Sequence, residues 1–161
     1  MPQLESSQVK EHLKSNLNHI HARIESACER SYRKPSDVQL IVVSKYRPKD
    51  HIQMLMDSGE EHFGESRVQE GRDKIPEFPI SAAWHLIGQL QSNKAKYLPG
   101  LFHWVHSVDR TKTVNALEKA FDKHDEKVHI LIQVNIAGEE QKGGCHPEET
   151  AELVKYAHEK K

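Results

Sequence analysis

The chain has 161 residues, with 23 Lys and Arg against 24 Asp and Glu, 36% hydrophobic and 6% aromatic residues, a make-up that suits one domain over 1–161 with its own core. A formal net charge of -1 argues against a dedicated nucleic-acid binder, which needs a surplus of cations facing phosphates. No run approaches the roughly 18 apolar residues of a membrane span, the opening MPQLESSQVKEHLKS is too polar for a secretory signal, and Cys28 and Cys145 fit no zinc or disulfide spacing, so a cytoplasmic chain is expected.

Val9, Leu13, Leu17, Ile20, Ile24 and Cys28 recur at steps of three or four and predict an amphipathic first helix. The β-branched run at 40–44 predicts a strand, and Ile52, Leu55 and Met56 predict a helix over 50–58 that Gly59 stops. The pattern repeats in HFGE at 62–65 with a helix near 66–75, and in AAWHLIG at 82–88 with a short helix near 92–98. It returns in WVHSVD at 104–109 before a helix carrying Val114, Leu117, Ala120 and Phe121, and in VHILIQVNI at 128–136 before a helix starting near Pro147. Five strand-then-helix units imply a parallel α/β sheet with right-handed crossovers.

A nucleotide-binding, doubly wound sheet carries a glycine-rich turn after its first strand, but here that turn reads SKYRPKD. Polar residues instead gather at strand C-terminal ends: Lys45, Glu65 with Ser66, Gly88, Asp109, and Gln133 with Asn135. In a (β/α) barrel these ends ring the active site.

Strand alternation puts Ile41, Val43 and Lys45 on one face, so Lys45 crowns an apolar column. An ammonium held against such a wall loses hydration, which favours the neutral amine able to attack a carbonyl and form an imine. The competing role is a lysine that snorkels into water. In the fifth strand His129, Leu131, Gln133 and Asn135 share an inward face, while Val128, Ile130, Ile132, Val134 and Ile136 form an apolar face for helices to cover. Gln133 and Asn135 then either meet a ligand or satisfy backbone groups of neighbouring strands. His85 falls one layer below the mouth, as a site residue or as a bridge between strands. Gln91, Ser92 and Asn93 head the third helix, where they either cap free N–H groups or line a site; Lys94 and Lys96 read as a solvated face. No HExxH or comparable spacing supports a metal, and His103 and His106 are expected to face opposite ways.

VVSK at 42–45, FGE at 63–65 with VQE at 68–70, WHLIGQLQSNK at 84–94, SVDR at 107–110 and QVNI at 133–136 together resemble the pyridoxal 5′-phosphate homeostasis proteins, single-domain relatives of the alanine racemase barrel. The resemblance implies a TIM-type (β/α) barrel after an N-terminal helix, and a non-catalytic protein that binds, buffers and passes on pyridoxal phosphate, with apo enzymes that use the cofactor as recipients. It makes Lys45 the lysine that holds the cofactor, sets Ser66, His85, Asn93 and Asn135 around it, and matches Lys142 to a second lysine near the site. Ser66 stands where the family pattern has Asn, a shorter group without the amide's paired donor and acceptor.

The resemblance also implies three further strands, carrying a phosphate-binding Ser/Gly segment and an arginine, beyond the residues present. Eight units typically need about 250 residues, so about five of eight are expected here and cannot close. A fragment, a truncated product or half of a swapped assembly is therefore predicted, with open edges available for self-association and weak cofactor binding in this chain. Two other functions compete: a racemase or decarboxylase with Lys45 as base, and a ligand-free module that binds protein through its strand edges.

Overall fold

The computed structural model describes residues 6–139 and 141–160. Helix α1 (Ser6–Arg30) packs on α2 (Lys49–Met56). Its buried stripe runs through Leu17 and Cys28, with Val9, Leu13, His21 and Ile24 half-buried. Ile20, expected in that stripe, is exposed, and His21 takes its place because its Nε2 lies 2.8 Å from Glu60 Oε1 in the turn after α2.

The strands are β1 (Val42–Val43), β2 (His62–Glu65), β3 (Ala83–Leu86), β4 (Trp104–Val108) and β5 (His129–Ile132). They pair in the order β1-β2-β3-β4-β5, and every neighbouring pair is parallel. A doubly wound sheet reverses its strand order midway, whereas an unbroken sequential order is the wall of a (β/α) barrel. The fold is thus five units of an incomplete barrel preceded by a helix: the strand-then-helix alternation predicts the five parallel units, and the family resemblance the incomplete barrel.

Helices α3 (Val68–Lys74), α4 (Thr111–Asp122) and α5 (Thr150–His158) complete the outer layer with α2. The third connection is a 3-10 helix at Ser92–Tyr97, ended by Pro99 two residues on. No side chain caps it, so the capping role open to Gln91, Ser92 and Asn93 is not realised; the Gln91 carbonyl takes the Lys94 N–H instead. Lys94 and Lys96 are not simply a solvated face either, because both ammonium groups sit near the Tyr97 ring.

The core lies between sheet and helices. Phe63, Trp84, Leu86 and Val105 from the strands meet Ile52, Leu98, Phe102, Val114, Leu117 and Phe121 from the outer layer. The opposite, concave face stays open, with Val43 at 48% and Leu131 at 45% exposure. Edge strand β1 is only two residues long. Past β5 the chain returns on itself: Cys145 N–H donates to the Gln133 carbonyl, and Asn135 N–H to the Cys145 carbonyl. That return covers part of the edge expected to lie bare, and it draws the chain out of the strand, leaving Ile136 86% exposed rather than under a helix.

Candidate functional site at the sheet's C-terminal ends

Lys45 lies in the first loop at the C-terminal side of the sheet. The Arg47 N–H donates to the Ser44 carbonyl, so Lys45 and Tyr46 are the two central residues of a tight turn. Tyr46 has φ +58, a left-handed conformation that a bulky residue adopts at a cost of about 1 kcal/mol. Lys45 is exposed, and among the described residues its ammonium has no hydrogen-bond or ion-pair partner. Ile41 and Val43 stand beneath it as the alternation predicts, but half-open, so the five strands present do not enclose the amine in an apolar wall.

The turn is held from behind by charged groups. Ser44 is buried on the helix-facing side, and its hydroxyl donates to Glu65 Oε1 at 2.7 Å. Glu65, fully buried at the end of β2, also receives Lys74 Nζ at 2.7 Å. Lys74, 8% exposed on α3, spends its other two protons on the Ser44 carbonyl at 3.0 Å and on Glu70 Oε1 at 3.0 Å. Three donors thus meet three acceptors, the condition under which a buried ammonium is tolerable. Glu70 in turn accepts the Tyr46 N–H at 2.6 Å. Burial raises the Glu70 carboxyl, but the Tyr46 amide, the Lys74 ammonium and the Arg67 charge outweigh it and hold the group below its ordinary range. Arg67 also lies over the Tyr46 ring, 5.6 Å from its centroid.

The next loops crowd against one another. A Cβ on Gly88 would meet the Ser66 carbonyl oxygen at 2.1 Å, so only glycine lets the chain after β3 approach the chain after β2. Ser66 itself is half-buried beside this contact. A Cβ on Gly64 would press on Ile41 at 3.2 Å and Ile87 at 3.4 Å. The bare glycine therefore lets Ile41 and Ile87 close over β2 as an apolar patch, on the face that carries Lys45.

His85 belongs to the layer below. It is 2% exposed, its Nε2 lies 2.9 Å from His62 Nδ1 on β2, and its Nδ1 lies 2.9 Å from His106 Nε2 on β4. Its ring stacks on Trp104, which stacks on His129 of β5. Both nitrogens being engaged across strands, the geometry realises the bridging role of His85 and leaves no ring nitrogen for a ligand. Burial, and then the neighbouring imidazoles His106, His62 and His103, push its pKa down to about 4. His103, just before β4, turns away from His106, its Nδ1 accepting the Trp84 N–H, so the two histidines part as expected. Among the described residues no group of three or more His, Cys, Asp or Glu could hold a metal ion.

The loop after β5 is secured differently. Gln133 Nε2 donates to the Gly143 carbonyl at 2.8 Å, and Asn135 Nδ2 to the carbonyls of Glu139 at 2.9 Å and Lys142 at 3.4 Å. These amides serve their own loop, not the neighbouring strands, because the chain folds back beside them. Lys142 pairs with Glu139 at 2.6 Å on the surface. Asp109, at the end of β4, is held below its ordinary carboxyl range by a two-pronged bond from Arg110 and a further bond from the Gly144 N–H. Lys45 and Lys142 thus project from opposite edges of the sheet at the same end. Asn93 is exposed in the 3-10 helix after β3, and among the described residues its side chain has no hydrogen-bond partner. A separate cleft of about 520 Å³ between α4 and α5 is lined by Asp109, Arg110, Glu152 and Tyr156, and does not include Lys45.

The Glu65–Lys74–Glu70 group went unread in the sequence, although two signals point to it. Alternation sets Glu65 beside Phe63 on the helix-facing side, where a carboxylate needs a cation, and Glu70 and Lys74 stand four apart on a helix.

The family model described as "Alanine racemase, N-terminal domain" matches residues 15–161. The chain is 39% identical over 147 residues to a protein of Haemophilus influenzae named pyridoxal phosphate homeostasis protein, covering 89% of this chain and 62% of that one. It is 40% identical over 150 residues to a Vibrio cholerae protein of the same name, covering 88% and 64%. It therefore spans a little under two thirds of the length of these relatives. Among solved structures it is similar to PipY of Synechococcus elongatus with pyridoxal phosphate bound, with a TM-score of 0.70 and 33% identity, over 85% of this chain and 64% of that one.

Proposed function

Since the chain belongs to the alanine racemase N-terminal domain family, we propose that it forms part of a pyridoxal 5′-phosphate-binding barrel whose first-strand lysine, Lys45, anchors the cofactor. The observation that carries this reading is an exposed ammonium, without a partner among the described residues, on a turn whose backbone is fixed from behind. The residues present fit the group in two respects. Lys45 is exposed to meet an aldehyde, and the patch that Ile41 and Ile87 form over Gly64 is apolar, suited to the face of a ring. Bound there, the cofactor supplies an electrophilic aldehyde carbon. The chain's own residues hold the amine at the mouth, offer the Ser66 hydroxyl from the loop after β2, and support the layer beneath through the stacked His85 and Trp104 rings.

Lys142, across the mouth, handles cofactor in transit in this reading, while Asn135 shapes the loop that carries it and Asn93 adds an amide on the rim. The function is storage and delivery to apo enzymes, not turnover, in keeping with the homeostasis names of the relatives. A cytoplasmic setting accords with two buried, unpaired thiols at Cys28 and Cys145. The decisive experiment is borohydride trapping with pyridoxal phosphate followed by peptide mass analysis, with Lys45→Ala as control. Label on Lys45 is expected; label elsewhere, or none, overturns the assignment. Racemisation or decarboxylation of common amino acids, lost in Lys45→Ala, would instead make the protein an enzyme.

A further inference from the structure

We propose that Glu65, Lys74 and Glu70 are positioning residues that hold the strained Lys45–Tyr46 turn and so aim the Lys45 amine. This rests on the reading of Lys45 as the cofactor's anchor. Isolated, a Ser44–Arg47 turn with tyrosine in the left-handed region is disfavoured and would relax. Two bonds prevent that, one on each side of Lys45. Lys74 grips the carbonyl of Ser44, the residue before it, and Glu70 grips the N–H of Tyr46, the residue after it. Ser44 is gripped a second time, through its hydroxyl on Glu65. Lys74 joins both carboxylates, so the three side chains act as one body rooted on β2 and α3.

Burial indicates what this arrangement is for. A buried ion pair costs desolvation that an apolar pair of similar volume avoids, so it adds little stability of its own. Geometry is what it supplies: it reaches the two peptide groups that flank Lys45 and leaves the Lys45 side chain untouched. A strained turn retained in this way marks a place where conformation matters more than stability.

The test uses the full chain and Glu70→Ala, which removes the grip on Tyr46 but leaves Lys74 paired with Glu65, so the fold persists. Glu70→Gln keeps an oxygen for the Tyr46 N–H and serves as the rescue. Three measurements are made on each: amide hydrogen exchange at Tyr46 and Arg47, whose N–H groups donate to Glu70 and to the Ser44 carbonyl, the rate of borohydride-trapped labelling of Lys45 by pyridoxal phosphate, and labelling by formaldehyde, a small aldehyde that needs no aimed amine. In Glu70→Ala, exchange at both amides should quicken and pyridoxal phosphate labelling should slow about tenfold, with formaldehyde labelling unchanged and Glu70→Gln restoring the wild-type values. Unchanged exchange, or faster exchange with unchanged pyridoxal phosphate labelling, overturns the proposal. If pyridoxal phosphate never labels wild-type Lys45, the functional reading fails, and the exchange data alone then decide whether the clamp exists.

Discussion

The two edges of the sheet secure their mouth loops by different chemistry. After β1, a turn of four residues is held by a largely buried group of charges in which every Lys74 proton is engaged, while Glu65 Oε2 has no partner among the described residues. After β5, a longer loop is held by neutral amides on backbone carbonyls and by one exposed ion pair. The first arrangement is rigid and fails if Lys74 or Glu65 is lost, because the buried charge left behind has no water to turn to. The second is forgiving, because water can replace each bond. A lysine on the first loop is presented in one geometry; a lysine on the second can move.

Lys74→Met tests the contrast most severely. It strands Glu65 and should cost about 3–5 kcal/mol in urea unfolding, whereas Lys74→Met combined with Glu65→Gln should recover much of that loss. A loss under about 1 kcal/mol in the single variant would mean that water reaches Glu65 and that the two edges do not differ.

Between the edges, the His62–His85–His106 chain should make stability depend on pH. His85 is driven from an ordinary 6.5 to about 4 in the folded chain, so the unfolded chain binds the extra proton first. Stability is then full above pH 6.5 and declines as pH falls toward 4, by up to about 3 kcal/mol from this group. His85→Leu should flatten the pH dependence of urea midpoints in that window; an unchanged slope would place the titration elsewhere.

Asn135→Ala removes the amide that bonds the Glu139 and Lys142 carbonyls and should cost about 1 kcal/mol. Faster amide exchange should be confined to the loop after β5, and spread to the Lys45 turn would show that the edges are coupled. The smallest effect is expected for Lys142→Met, whose ion pair is exposed on both sides and screened by salt. Its thermal midpoint should match wild type, corresponding to less than about 0.5 kcal/mol; a larger loss would make the second loop as dependent on charge as the first.

Much of this was legible before any coordinates. The apolar runs placed β2 at 62–65, and Gly59, with φ +99, ends the turn after α2 where a helix stop was expected. The absence of a phosphate-type glycine turn after β1 favoured a barrel wall over a doubly wound sheet, and the sequential strand order agrees. The position of Lys45 after the first strand and of His85 one layer down followed from alternation; that His85 bridges strands needed the contacts to His62 and His106. Less legible were groups whose partners lie far along the chain. Ser44 and Glu65 are 21 residues apart and Ser44 and Lys74 are 30 apart, and no local period links them.

By itself, then, the sequence determined the elements, their order, and which residues reach the C-terminal end of the sheet, because side-chain periodicity is a local property of the backbone. Only the tertiary structure decided how those residues are held. Burial and partnership depend on what packs opposite: Ile20 yields to His21 because Glu60 is there, Ile136 is bare because the chain turns back at Cys145, and Lys45 stands open because the five strands present leave the concave face uncovered.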